Sequence, residues 1–185
     1  MELKNFIKVY DNVLDLNVLS NILKTINSKG IFEKASVGGG HTIDFNIRRT
    51  YVIGLDNMKD SLTLVHWNNY LNTFFKQYAT NYSREFNSYD PIINDIQILK
   101  YESGGFYKWH TDHFTETPRT LSMILFLNND YEGGSLNFKN PDNSGEHEIK
   151  PTANRLVVWP SNFLYPHRVS PVTKGVRYTV VAWAL

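Results

Sequence analysis

From Pro91 to the C-terminus the sequence consists of short apolar runs separated by turn signals, and no other feature restricts the fold as much. The runs span residues 92–101, 120–127, 135–138, 147–150, 155–159, 164–169 and 176–183. Between them stand Asn128-Asn129-Asp130, Gly133-Gly134 and residues 141–145, which are rich in the side chains that reverse a chain. Runs of this length suit strands better than helices. Their regular recurrence predicts a sandwich, jelly roll or barrel.

Ahead of Pro91 the texture differs. Residues 3–10 alternate weakly and predict a strand. Asp15 is a good N-cap, and Leu16, Leu19, Ile22, Leu23 and Ile26 follow at helical spacing until Gly30 ends the segment. Residues 36–41, SVGGGH, form a glycine loop without the GK[ST] continuation of a phosphate cradle, so a surface loop is the expectation. Residues 46–55 predict one strand with Arg48 and Arg49 on opposite faces, either surface arginines or one of them facing a site. Residues 57–86 predict a long helix or a helix pair with Leu62, Val65, Leu71, Phe74, Phe75, Tyr78 and Tyr82 on its apolar face. Tyr89-Asp90-Pro91 is a break within one domain. The expected architecture is therefore α+β and mostly β, a single domain over residues 1–185. Residues 1–90 supply helical and strand support, and residues 91–185 form the core.

Composition removes several function classes. A 42% hydrophobic and 14% aromatic content excludes a disordered chain. The net charge of +1, with no basic run, predicts no nucleic-acid partner. Without cysteine there is no disulfide and no thiolate metal site, so a metal must be held by His, Asp, Glu or backbone oxygen. The sequence lacks a stretch of apolar residues long enough to span a bilayer, and its start lacks the pattern of a signal peptide; a cytoplasmic protein is expected.

Residues 97–112, QILKYESGGFYKWHTD, carry His110 and Asp112 two residues apart, on one face if both are in a strand. Alone, His-x-Asp is common. Here Gly104-Gly105 allows close backbone approach just before it, and His167 follows 55 residues after Asp112 on another expected strand. Two histidines and one carboxylate with open positions are the facial triad of non-haem Fe(II) oxygenases. His113 is a rival ligand, but alternation turns it to the other face. His41 and His147 lack a carboxylate at strand spacing, and His66 reads as helix packing or surface. Arg177 starts RYTVVAWAL, where Arg177, Thr179, Val181 and Trp183 share a face. An arginine turned into a barrel calls for an anion, and its guanidinium fits a carboxylate.

The ordered set is now Y-x-x-G-G-x-Y-x-x-H-x-D, then RTLSMILFLN, then E-G-G, then P-H-x-V, with Arg177 ten residues after His167 and then Trp183. Over roughly residues 92–185 it resembles the 2-oxoglutarate- and Fe(II)-dependent dioxygenases of the prolyl 4-hydroxylase group. The resemblance implies a double-stranded β-helix, or jelly roll, with supporting N-terminal helices. It implies iron ligands at His110, Asp112 and His167, and cosubstrate contacts from Tyr101 and Arg177, beside which Thr179 can donate another hydrogen bond. It places Tyr107, Arg119 and Trp183 where prolyl hydroxylases contact the target proline. The implied activity is hydroxylation of a prolyl residue in a peptide or protein, using Fe(II), 2-oxoglutarate and O2, with ascorbate as reductant and succinate and CO2 as products. Residues 111–118 and Gly38 to Gly40 are candidate lids.

Two departures stand out. Phe126 takes the place of a tyrosine that, in the animal oxygen-sensing enzymes, donates to the cosubstrate carboxylate; Thr179 is a substitute. Leu185 stands where plant and algal collagen-type enzymes have a histidine, which points away from a collagen-like substrate. The other readings are an oxygenase of a free amino acid or a nucleobase, and a non-catalytic jelly-roll binding module.

Overall fold

The computed structural model describes residues 2–29, 31–37, 42–55, 61–86, 90–140, 142 and 144–185. In chain order its first strands are β1 (Lys8–Asp11), β2 (Glu33–Lys34), β3 (Arg48–Arg49) and β4 (Tyr51–Gly54). Then come β5 (Ile93–Tyr101), β6 (Phe106–His110), β7 (Leu121–Phe126), β8 (Glu132–Gly133) and β9 (Leu136–Lys139). The last are β10 (Glu146–Ile149), β11 (Arg155–Pro160), β12 (His167–Val169), β13 (Val172–Lys174) and β14 (Arg177–Ala184). The helices are α1 (Leu16–Lys29) and α2 (Leu62–Glu85). A larger sheet has the order β1-β11-β7-β14-β5-β4-β2, and a smaller one β10-β9-β12-β6-β3. Their recorded pairings are antiparallel, and β8 pairs with β13 apart from both. This is the mostly β jelly roll expected from residues 91–185, with the flanking helices expected from residues 1–90.

Strand alternation divides the larger sheet between two cores. Ile96 and Ile98 of β5, Met123 and Leu125 of β7, and Val180 and Ala182 of β14 face the helices, where they meet Ile22, Leu71 and Phe75. Their alternates Leu99, Tyr101, Ile124, Phe126 and Val181 face inward and pack with Leu136, Phe138 and Val169 of the smaller sheet. A sheet buried on both faces reads as nearly continuous apolar sequence, which is why β7 is buried at every position.

Asp15 caps α1 as expected, and Ser61 caps α2 without having been singled out in the sequence. Asp15 Oδ1 accepts from the Asn17 amide at 2.8 Å at the start of α1. Ser61 Oγ accepts from the Leu64 amide at 3.4 Å at the start of α2, which is one helix and not a pair. Its buried face adds Leu64, Trp67 and Ala79 to the expected stripe, whereas Leu62 is exposed, as Leu16 is on α1. Each of these leucines is the first residue of its helix, before the buried stripe begins.

Four boundaries differ from the sequence expectation. Residues 3–10 are not one strand: Leu3–Phe6 is a 3-10 turn, which sets Leu3 and Phe6 at a three-residue spacing against the inner core before β1 begins. Residues 46–55 are not one strand either. Asn46 and Ile47 lie in a turn held by Asp44, and the chain then crosses between sheets at Thr50. That residue is buried, and its hydroxyl donates to the Lys100 carbonyl at 2.9 Å. Within 164–169 only His167–Val169 is strand, because Asn162 holds Leu164 and Tyr165 in a turn. Finally, β6 stops at His110, so Asp112 lies beyond its strand. The expectations for Gly30, Gly38 to Gly40, His41 and Tyr89 fall outside the described residues.

Candidate metal centre

The smaller sheet brings the two histidines together. In the β6–β12 pairing His167 is the direct partner of His110. Asp112 joins them from the turn after β6, not by strand alternation. Its amide donates to the Ser161 carbonyl at 3.3 Å, and its Oδ2 accepts from Ser122 Oγ at 2.7 Å. Ser122 and Ser161 hydroxyls are themselves hydrogen-bonded at 2.7 Å. The result is a cluster whose ligand atoms all lie within 4.8 Å of one another. His110 Nε2 is 3.5 Å from Asp112 Oδ1, and His167 Nε2 is 3.4 Å from Asp112 Oδ2.

The tautomers are set by the backbone. His110 Nδ1 lies 2.8 Å from the Lys108 carbonyl, and His167 Nδ1 lies 3.1 Å from the Tyr165 carbonyl. A carbonyl only accepts, so each Nδ1 carries the proton and each Nε2 keeps its lone pair. Burial, with His167 adding to it, pushes the His110 pKa down to about 3 and favours the neutral ring that a metal requires. Burial opposes ionisation of Asp112, and the hydrogen bond donated by the Ser122 hydroxyl favours the charged carboxylate. Two neutral imidazoles and one carboxylate, gathered on one side with the rest open to a cavity, are a donor set that would hold Fe(II) and leave positions for other ligands. Among the described residues no other such group of His, Asp or Glu is found. His113 is exposed, and its Nδ1 contacts the Arg119 carbonyl at 2.9 Å, so it lies at the rim. His66 is exposed against Trp67, and His147 sits on β10 opposite Phe138.

The three side chains share the wall of a cleft of about 130 Å³ with Tyr101, Tyr107, Arg119 and Trp183. Tyr107 stacks on His110 with ring centres 3.5 Å apart, and burial pushes its hydroxyl up to about 12. The Arg48 guanidinium lies 4.7 Å from the Tyr107 ring centre, so of the two adjacent arginines Arg48 faces the site and Arg49 is exposed. Arg119 lies 3.8 Å over Trp183 and pairs with Asp95 at 3.4 Å.

Arg177 and Thr179 are fully buried and are not part of the cleft wall; they lie one layer behind it. The guanidinium is 4.9 Å from the ring centre of Tyr101 and 5.0 Å from that of Phe126. It donates from Nη1 to Thr179 Oγ1 at 3.2 Å, and Nε and Nη2 have no hydrogen-bond partner. A buried cation with unmet donors is costly unless an anion joins it. These orphaned donors suit the distal carboxylate of 2-oxoglutarate.

Sequence reasoning overlooked Ser122 and Ser161. The available signal was a lone hydroxyl inside the apolar run LSMILFL, because a polar atom in a fully buried strand needs a partner. It also overlooked Asp95 and Gln97, which alternate with apolar residues on β5.

Residues 96–185 match the family model described as "2OG-Fe(II) oxygenase superfamily". A PKHD-type hydroxylase of Synechococcus sp. (strain JA-2-3B'a(2-13)) is 38% identical over 100 residues, covering 50% of this chain and 43% of that protein. A PKHD-type hydroxylase of Psychrobacter sp. (strain PRwf-1) is 44% identical over 102 residues, covering 50% of this chain and 38% of that protein. The chain thus spans less than half the length of these relatives. Among solved structures, a prolyl hydroxylase from Trichoplax adhaerens, in complex with a hypoxia inducible factor peptide fragment, superposes with a TM-score of 0.79. It is 19% identical and covers 98% of this chain and 84% of that one. A Pseudomonas putida prolyl-4-hydroxylase gives a TM-score of 0.71 at 21% identity, covering 96% of this chain and 91% of that one. These two establish the shared fold. The site thus lies on the same stretch, residues 96–185, that is similar to the 2OG-Fe(II) oxygenase superfamily.

Proposed function

We propose that the chain is a 2-oxoglutarate-dependent Fe(II) dioxygenase that hydroxylates a prolyl residue in a peptide or protein. The observation that carries this reading is the convergence of His110, Asp112 and His167 on a cleft backed by an arginine with unmet donors. In this reading the three side chains hold iron, and Arg177 with Thr179 binds the far carboxylate of 2-oxoglutarate behind Tyr101. The bound pair supplies the oxidising chemistry: 2-oxoglutarate and O2 are consumed, succinate and CO2 leave, and one oxygen atom enters a substrate C–H bond. The protein orients and excludes water. Ser122 and Ser161 fix the Asp112 carboxylate. Tyr107, stacked on His110, and the Arg119–Trp183 pair form the part of the cleft wall suited to a proline ring and its flanking amides.

Prolyl hydroxylation is favoured because the two superposed structures are prolyl hydroxylases, one of them in complex with a peptide fragment. The retained Tyr107, Arg119 and Trp183 support the same choice. We also read residues 1–185 as one domain, since the helices of the first half share a core with β5, β7 and β14. No described helix is long and apolar enough to cross a membrane. A cytoplasmic setting rests on the sequence alone.

The test is mass spectrometry of proline-containing peptides incubated with the protein, Fe(II), 2-oxoglutarate and ascorbate. The expected result is a mass gain of one oxygen on proline, matched by succinate, and its loss in His110→Ala. Peptides left unmodified across a broad proline library, with 2-oxoglutarate still turned over, would redirect the reading to another substrate class.

A further inference from the structure

Tyr131 lies between β7 and β8, in a segment the metal centre does not use. Its hydroxyl is buried and has no hydrogen-bond partner. The unpaired Nε and Nη2 of Arg177 belong to the same part of the molecule, as the glycines show. Gly134 has φ +65°, and a Cβ there would come 2.9 Å from Arg177 Cδ and 3.0 Å from Tyr131 Cε2. The two side chains therefore meet over the bare backbone of Gly134. Gly175, at φ +79°, closes the other side: a Cβ there would come 3.1 Å from Tyr131 Cβ and 3.0 Å from the Asp130 carbonyl. Two left-handed glycines thus seat one tyrosine beside one buried arginine.

We propose that Tyr131 is a donor to the distal carboxylate of 2-oxoglutarate, sharing that group with Arg177. The inference rests on the cosubstrate reading given above. A carboxylate has two oxygens and accepts several hydrogen bonds. One oxygen takes the guanidinium, and the other takes the Tyr131 hydroxyl. Thr179 Oγ1 accepts from Arg177 Nη1, which leaves its own proton to donate. Burial raises the Tyr131 pKa, and the Arg177 charge and its polar approach to the hydroxyl only partly oppose this, so the hydroxyl keeps its proton at neutral pH. Phe126, whose ring also flanks the guanidinium, has no hydroxyl to give, and Tyr131 supplies one from a different strand connection.

The experiment compares wild type with Tyr131→Phe, both loaded with Mn(II) under anaerobic conditions and titrated calorimetrically with 2-oxoglutarate and with oxalate. Oxalate shares the metal-chelating end and lacks the distal arm. The melting temperature of each metal-free protein is measured alongside. A hydrogen bond to a charged group predicts a roughly ten- to hundredfold weaker Kd for 2-oxoglutarate in Tyr131→Phe. Oxalate affinity should be unchanged, and metal-free stability equal or higher because an unsatisfied buried hydroxyl is removed. Unchanged 2-oxoglutarate affinity, an equal loss for both ligands, or a lowered melting temperature with no selective loss would overturn the assignment. If wild type binds oxalate but not 2-oxoglutarate, the cosubstrate reading itself fails, and that is seen before any variant is made.

Discussion

His110 and His167 are direct cross-strand partners in the smaller sheet, and their rings stand 4.2 Å apart, centre to centre. The metal centre is therefore a property of strand register. A slip by one residue would turn one histidine to the opposite face. Asp112 has no such guarantee, since it lies past the end of β6 and depends on two serines.

That dependence makes Ser122 the next residue to test. Its hydroxyl is 2.7 Å from Asp112 Oδ2 and is buried in β7. Ser122→Ala should weaken Fe(II) or Mn(II) binding by roughly ten- to a hundredfold, as is usual when the group orienting a metal ligand is lost. Circular dichroism should be unchanged. Metal affinity equal to wild type would show that Asp112 is held without it.

Acid should destabilise the metal-free protein in a defined window. The folded pKa of His110 is about 3 against an ordinary 6.5, so between these values the unfolded chain binds a proton that the folded one refuses. Stability then falls as pH drops from about 6.5, by up to about 1.4 kcal/mol per pH unit from this group. Urea midpoints measured against pH should show the slope, and His110→Gln should flatten its upper part.

On the substrate side, Arg119 is held flat over Trp183 and anchored by Asp95. Arg119→Lys keeps the charge but loses the planar stack. It should raise KM for a proline-containing peptide about tenfold while leaving the Kd for 2-oxoglutarate unchanged. A fall in 2-oxoglutarate affinity instead would place Arg119 in the cosubstrate site.

The helical layer carries stability and not chemistry. Phe75 of α2 is fully buried against the larger sheet. Phe75→Ala should cost about 3–5 kcal/mol in denaturant unfolding, with metal binding intact in the remaining folded protein. A cost under about 1 kcal/mol would mean that the helix is not part of the core.

The strands after Pro91 were legible because apolar runs and turn residues agree with each other there, and the C-terminal run exposed Arg177, Thr179, Val181 and Trp183 as one face by alternation alone. The metal ligands were legible as residue types in order. Their assembly was not: alternation put Asp112 on β6, whereas the structure puts it in a turn fixed by Ser161, a contact 49 residues distant. The same limit applies at Thr50. Nothing in NIRRTYVIGL marks where a chain leaves one sheet for another, because both halves have strand texture and the crossing is decided by pairing with β5 and β6. Tyr131 was invisible for a related reason, since its meaning lies in an arginine 46 residues away.

The most direct test of the central claim is anaerobic titration of the Fe(II)-loaded protein with 2-oxoglutarate, followed by visible absorption. A charge-transfer band is expected that saturates in wild type and is absent from His110→Ala, Asp112→Ala and His167→Ala. No band in iron-replete wild type, or an equal band in the three variants, would contradict it.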